Sequence, residues 1–121
     1  MKILICDDDP MTIRALEYQF KKDGFDVIKT VNGREATKIL DASQDIDLII
    51  VDIHMPMMSG FELVTYVRDN LQRETPIIVL SKVNSRESFD EALDLGANAY
   101  LTKPFNLEEL SNKIKEVLKI S

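Results

Sequence analysis

The stretch 47-DLIIVDIHMPMMSG-60 shows how this chain is built. It begins with an apolar, β-branched run, reaches a carboxylate at Asp52 and then breaks at Pro56 and Gly60. An apolar run without polar alternation is typical of a strand that helices cover on both faces of a parallel sheet. A carboxylate is costly to bury without a partner. The stretch therefore predicts a buried strand whose carboxyl end presents Asp52 to a ligand.

Similar apolar runs recur along the chain and are separated by segments with helical spacing of apolar residues. The five predicted strands are KILIC (2–6), FDVIKT (25–30), DLIIV (47–51), PIIVLS (76–81) and NAYLT (98–102). The pattern is thus a strand followed by a helix, repeated five times. Because β-α-β crossovers are right-handed, we predict an α/β fold of the flavodoxin-like (βα)5 type. Its five-stranded parallel sheet, in the order 2-1-3-4-5, would form the middle of a three-layer sandwich.

The predicted helices carry recognisable start and stop residues. Asp9 before Pro10 predicts the start of the first helix. Gly24 and Gly96 lie where the first and fourth helices should end. The later helices are predicted to begin with a capping residue followed three positions later by a glutamate. These pairs are Asn32 with Glu35, Ser59 with Glu62, Asn84 with Glu87, and Asn106 with Glu109.

Length and composition exclude several classes of protein. A chain of 121 residues predicts a single domain, residues 1–121. The formal charge of -6 disfavours direct nucleic-acid binding. No apolar run approaches the roughly 20 residues needed to cross a membrane, and the amino-terminal sequence does not resemble a signal peptide. We therefore expect a cytoplasmic protein that does not bind membranes, with Cys6 as a small core residue.

Polar residues follow four of the five predicted strands. Asp7 and Asp8 follow the first strand, and Asp52 the third. Ser81 ends the fourth strand, and Lys103 comes directly after the fifth. Each of these side chains could cap a helix, close a turn or be solvated. However, the carboxyl ends of parallel strands meet at one edge, and crowded carboxylates raise one another's pKa unless a cation neutralises them.

The residue types at this predicted edge favour phosphoryl chemistry. Carboxylate oxygens without imidazole or thiolate suit Mg²⁺, with Mn²⁺ possible, rather than zinc. Magnesium leaves room for phosphate oxygens, and Lys103 and Ser81 would supply a charge and a hydrogen bond to a phosphoryl group. Asp52 is then placed to attack phosphorus and form an aspartyl phosphate. Asp9 is expected only to cap the first helix.

Four motifs in this order resemble the receiver domain of bacterial two-component response regulators. They are ILICDDDP (3–10), VDIHMPMMSG (51–60), PIIVLS (76–81) and GANAYLTKPF (96–105). The resemblance covers essentially the whole chain. It implies that Asp52 is the phosphoacceptor, and that Asp7, Asp8, Asp52 and the backbone carbonyl of His54 are metal ligands. It also implies that Lys103 contacts the phosphoryl oxygens and that Ser81 and Tyr100 form a switch pair. A cis peptide bond is expected before Pro104.

The resemblance also implies a function and partners. A sensor histidine kinase or phosphotransferase would donate the phosphoryl group, and Ser81 would move toward it while the Tyr100 ring turns inward. The face formed by helix four, strand five and helix five would then bind a downstream protein, a fused output domain or a second copy of the chain. The protein would not be an enzyme beyond its own phosphotransfer and autodephosphorylation. Whether it acts alone or within a longer regulator is left open.

The sequence departs from the family pattern at Lys82, where a small residue is usual. Lys82 could screen the phosphoryl group, pair with it or extend into solvent, and we favour solvent. His54 is likewise expected to face solvent. The enzymatic alternative is a Mg²⁺-dependent phosphatase or phosphotransferase of the haloacid dehalogenase type. That class expects a second aspartate two positions after the nucleophile, and the chain has His54 there.

Overall fold

Strands and helices alternate along the whole of residues 1–119, which are the residues that the computed structural model describes. The strands are β1 (Lys2–Cys6), β2 (Asp26–Thr30), β3 (Leu48–Asp52), β4 (Ile77–Ser81) and β5 (Ala99–Thr102). The helices are α1 (Pro10–Lys22), α2 (Gly33–Ala42), α3 (Gly60–Thr65), α4 (Arg86–Leu95) and α5 (Leu107–Leu118). None of the helices in this described range is long and apolar enough to cross a membrane.

The five strands form one parallel sheet in the order β2-β1-β3-β4-β5. This confirms the predicted flavodoxin-like topology. β3 lies in the middle, where Ile50 is opposite Ile5 of β1 and Asp52 is opposite Leu80 of β4. Asp52 is therefore the last residue of the central strand.

Alternating residues of the strands build two separate apolar cores, because successive side chains of a strand point to opposite faces. Ile49 and Val51 of β3 belong to the core beneath α2, α3 and α4. Leu48 and Ile50 belong to the core beneath α1 and α5. Each such buried side chain contributes about 1.5 to 3 kcal/mol through removal of apolar surface from water. All five residues of β3 are buried, which explains why its sequence lacks alternation.

Most of the predicted helix ends are confirmed. Asp9, Asn32, Ser59 and Asn106 each accept a hydrogen bond from a backbone N–H in the first turn of their helix. Gly96 ends α4 with a φ of 115°, in the left-handed region that suits glycine. Gly24 (φ 91°) follows the Asp23 cap of α1.

Two expectations about helices were wrong. α4 is capped by Ser85 and not by Asn84, since the Ser85 hydroxyl accepts from the Ser88 N–H at 3.1 Å. Both residue types cap helices well, and the spacing to Glu87 alone favoured the wrong one. The predicted third helix is also not uniform, because α3 continues as a π-helical turn over Tyr66–Asn70.

The π-helical turn places Arg68 at the amino edge of the sheet. Its guanidinium donates to the carbonyl oxygens of Gly96, Arg73 and Thr75 and to Asn98 Oδ1, at 2.8 to 3.0 Å. Asn98 Oδ1 also accepts from the Ile77 N–H at 2.9 Å. Arg68 therefore joins α3 to the end of α4 and to the starts of β4 and β5, at the edge opposite Asp52.

Candidate functional site

Three carboxylates meet at the carboxyl edge of the sheet, as predicted. Asp7 and Asp8 follow β1, and Asp52 ends the neighbouring β3. One oxygen from each lies within 4.8 Å of the others. Asp7 is 1% exposed and Asp52 is 6% exposed, whereas Asp8 faces solvent. The cluster is thus a buried pair of acids with one open side.

Lys103 enters this cluster from the end of β5. Its Nζ donates to Asp7 Oδ2 at 2.7 Å and lies 3.5 Å from Asp52 Oδ1. The lysine side chain is only 11% exposed. The peptide bond between Lys103 and Pro104 is cis, as the family resemblance implied. Lys103 therefore contacts both buried carboxylates at once.

Charge and burial shift the pKa values of these groups. Burial raises the pKa of Asp52 above its ordinary range, and the negative charge of Asp7 adds to this, while Lys103 acts in the opposite direction. Burial by itself would lower the pKa of Lys103, but the hydrogen bond and charge of Asp7, with the charge of Asp52, raise it. Lys103 thus stays charged, and its one charge faces three carboxylates.

The donor set of the cluster fits a hard divalent cation. Asp7, Asp8 and Asp52 offer only oxygen atoms, which suit Mg²⁺ or Mn²⁺. Burial is the main cause of the raised pKa of Asp52, and the charge of Asp7 adds to it; such a cation would relieve this like-charge repulsion. Asp9 takes no part in the cluster, because its carboxylate accepts from the Met11 N–H at 3.1 Å and the Thr12 hydroxyl at 2.7 Å. This confirms Asp9 as a helix cap.

Ser81 and Tyr100, the predicted switch pair, both contact the segment between β4 and α4. Ser81 is fully buried, and its Oγ accepts from the Val83 N–H at 2.9 Å. The half-buried Tyr100 hydroxyl donates to the Val83 carbonyl oxygen at 2.6 Å and lies 3.0 Å from Ser88 Oγ. The Tyr100 ring also meets Phe89 edge to face, with centroids 5.8 Å apart. Val83 therefore links the two residues.

The loop after β3 carries His54 and is held close to Asp52 by Gly60. The His54 side chain is exposed, as expected, and it lines a shallow depression together with Asp8. Gly60 donates its N–H to the Ile53 carbonyl oxygen at 2.8 Å. A Cβ at position 60 would lie 2.4 Å from the Asp52 carbonyl oxygen. From the sequence, Gly60 was predicted only to form a turn. Its position directly after the Ser59 cap, where a good helix former is favoured, was the signal that a side chain would not fit there.

Residues 3–115 match the family model described as the response regulator receiver domain. The chain is 37% identical over 120 residues to the chemotaxis protein CheY1 of Helicobacter pylori, and the match covers 98% of this chain and 97% of that protein. It is 34% identical over 122 residues to the alkaline phosphatase synthesis transcriptional regulatory protein PhoP of Bacillus subtilis, covering 99% of this chain. It spans only 49% of that longer protein.

Solved structures resemble the chain over nearly its whole length. A two-component response regulator from Clostridium difficile superimposes with a TM-score of 0.92 at 31% identity, covering 98% of this chain and 96% of that one. The chemotaxis protein CheY4 of Vibrio cholerae gives a TM-score of 0.88 at 35% identity, covering 96% and 97% respectively. The likeness in sequence and the likeness in fold therefore extend over the same residues.

Proposed function

Because the chain belongs to the family of response regulator receiver domains, we propose that Asp52 is the residue that accepts the phosphoryl group. The family consists of two-component phosphorylation switches, which are not classical enzymes, so membership leaves the haloacid dehalogenase alternative without support. One observation carries the assignment of Asp52. It is the buried carboxylate at the end of the central strand that lies beside both Lys103 and the Asp7 and Asp8 carboxylates.

The surrounding residues have separate tasks in the proposed transfer. An Asp52 oxygen attacks phosphorus, the bond from phosphorus to the donor breaks, and the donor leaves with that electron pair. Asp7, Asp8 and Asp52, with the His54 backbone carbonyl, would hold Mg²⁺, and the bound cation would supply charge neutralisation to the phosphoryl oxygens. Lys103 keeps its charge next to Asp52 and would neutralise charge on the oxygens of the phosphoryl group as that group bonds to Asp52.

Phosphorylation then changes the contacts of Ser81. An aspartyl phosphate adds negative charge and strong acceptor oxygens at the end of β3. In this structure Ser81 Oγ is the acceptor of a bond from the Val83 N–H, and the hydroxyl proton could be donated to a phosphoryl oxygen. Rotation of Ser81 toward the phosphoryl group would weaken that bond and move the segment that also holds the Tyr100 hydroxyl. The proposed output is a changed face of α4, β5 and α5.

The proposed partners follow from this arrangement. A sensor histidine kinase or a phosphotransferase would supply the phosphoryl group, and a downstream protein, a fused output domain or a second copy of the chain would bind the changed face. Residues 1–121 would act as one receiver domain in the cytoplasm, either alone or within a longer regulator. Autodephosphorylation would return the domain to its resting state.

Labelling by a small phosphodonor with Mg²⁺ tests the assignment. We expect Asp52→Asn to abolish labelling, because the amide cannot form the acyl phosphate. Asp94→Asn is the matched control, since Asp94 is an exposed aspartate on α4. The Asp94→Asn protein should be labelled as fully as the parent protein. Full labelling of the Asp52→Asn protein would show that another residue is the acceptor.

A further inference from the structure

A groove of about 590 Å³ lies between the start of α1 and the turn that joins β5 to α5. We call it the entrance groove. It is lined mainly by apolar side chains, among them Met11 and Phe105. Its charged lining residues are Asp9, Lys82 and Lys103. Lys103 lines this groove and its Nζ lies 3.5 Å from Asp52 Oδ1, so the entrance groove adjoins the proposed phosphoacceptor through that lysine.

The charged residues of the entrance groove differ in what they contact. Lys103 forms ion pairs with Asp7 and Asp52, and the Asp9 carboxylate accepts hydrogen bonds from the first turn of α1. Lys82 is exposed and forms no ion pair with any carboxylate of residues 1–119. Within the part of the chain that the structure describes, Lys82 is thus the charged lining residue of this groove whose head group remains available to a ligand.

The backbone keeps Lys82 beside the proposed acceptor. Lys82 directly follows Ser81, and the Ser81 carbonyl oxygen accepts from the Lys103 N–H at 2.6 Å. The two lysines therefore leave neighbouring strands, β4 and β5, at the same level of the carboxyl edge. A lysine has a flexible four-carbon stem with an ammonium head, so Lys82 can follow an anion along the groove.

The charge of the site explains why an additional cation matters. The three clustered carboxylates and Lys103 together leave two negative charges, which one divalent cation would cancel. An approaching phosphoryl group then meets a nearly neutral site and the negative Asp9 at the groove wall. A positive group at this entrance raises the local concentration of anions and the rate of their association.

We propose that Lys82 is a specificity-determining residue that draws phosphodonors of higher net negative charge into the entrance groove. This inference rests on the proposed role of Asp52. With acetyl phosphate, an Asp52 oxygen forms a bond to phosphorus, the bond between phosphorus and the acetate oxygen breaks, and acetate leaves with the electron pair. Lys82 forms and breaks no covalent bond, so its contribution is to the encounter with the donor.

The experiment compares two donors whose charges differ. Acetyl phosphate carries two negative charges near neutral pH, whereas phosphoramidate carries a net single negative charge because its nitrogen is protonated. We expect Lys82→Gln to lower the second-order rate constant for acetyl phosphate roughly threefold to tenfold at about 20 mM ionic strength. Lys82→Glu should lower it further, and Lys82→Arg should retain most of it. The loss should be smaller with phosphoramidate and should nearly vanish at about 1 M salt, where charges are screened.

The controls separate this inference from the proposed function. Lys38→Gln removes an exposed lysine of α2 that does not line the groove and should leave both rate constants unchanged. A Lys82→Gln protein with the parental rate constants at low salt, while Asp52→Asn is not labelled, would overturn the role of Lys82 alone. Equal losses with both donors at both salt concentrations would also overturn it, because they would indicate a structural effect. Labelling of Asp52→Asn would instead overturn the proposed function.

Discussion

Lys103 Nζ lies closer to Asp7 than to the proposed phosphoacceptor, at 2.7 Å from Asp7 Oδ2 against 3.5 Å from Asp52 Oδ1. In this structure the lysine is therefore first the partner of Asp7, one of the acids proposed to bind the metal. Transfer of a phosphoryl group to Asp52 would require Lys103 to exchange this partner for phosphoryl oxygens. The exchange needs a cation to take over the charge of Asp7.

The first prediction concerns this ion pair. Lys103→Gln leaves the buried Asp7 carboxylate without its cation, so we expect the free energy of unfolding to fall by about 2 kcal/mol in the absence of divalent ions. Urea unfolding measures the change. In the Asp7→Asn background the same substitution should cost much less, because the charge that needs a partner is gone. Equal costs in both backgrounds would contradict the pairing.

The second prediction concerns the charge of Asp52. Burial, and then the charge of Asp7, raises the pKa of Asp52. The folded protein thus binds this proton more tightly than the unfolded chain, and ionisation destabilises the fold at neutral pH. Without divalent ions, Asp52→Asn should raise the free energy of unfolding by on the order of 1 kcal/mol at neutral pH.

The pH dependence of this gain in unfolding free energy provides the control. The gain from Asp52→Asn should shrink as the pH falls through the raised pKa of Asp52 and should vanish below about pH 3, where Asp52 is protonated in both the folded and the unfolded state. Asp69 is exposed, so Asp69→Asn should change the free energy of unfolding little at either pH. An undiminished gain at low pH would show that the effect does not come from the charge.

The third prediction concerns Gly60. Gly60→Ala would place a Cβ 2.4 Å from the Asp52 carbonyl oxygen, so the loop must move away from β3. We expect a loss of about 2 kcal/mol or more in unfolding free energy, together with slower labelling of Asp52. Gly24→Ala is the comparison, since its Cβ would meet nothing within 4 Å and only the positive φ is strained. It should cost about 1 kcal/mol and leave labelling unchanged, and the reverse order of the two losses would argue against the steric explanation.

The fourth prediction concerns the thiol of Cys6. The side chain is fully buried, and burial raises its pKa to about 11. Alkylation requires an accessible thiolate, so the native protein should react with iodoacetamide about 100-fold more slowly than the urea-unfolded chain. Mass spectrometry over time gives both rates. Similar rates for the two states would mean that the edge of β1 opens readily.

The sequence predicted the parts of this molecule that depend on local pattern. Runs such as DLIIV identified the buried strands, and the position of Asp52 at the end of one of them pointed to the site. The Ser85 cap and the π-helical turn could not be predicted, because neighbouring residues offer nearly equal local choices and tertiary packing decides between them. The preference of Lys103 for Asp7 has the same origin, since it depends on distances between strand ends that are far apart in sequence.

The contacts of Arg68 have a consequence for anyone who wishes to re-engineer this chain. They connect two separate stretches of chain at the amino edge, 73–75 and 96–98, through three backbone carbonyls and the Asn98 side chain. A Cβ at Gly96 would lie only 2.9 Å from the Arg68 side chain. Redesign should therefore leave Arg68 and Gly96 untouched as a fixed pair. Libraries that vary the loops of the opposite edge, such as the segment from Lys82 to Asn84, would then sample new phosphodonor specificities without disturbing the hydrogen bonds of Arg68.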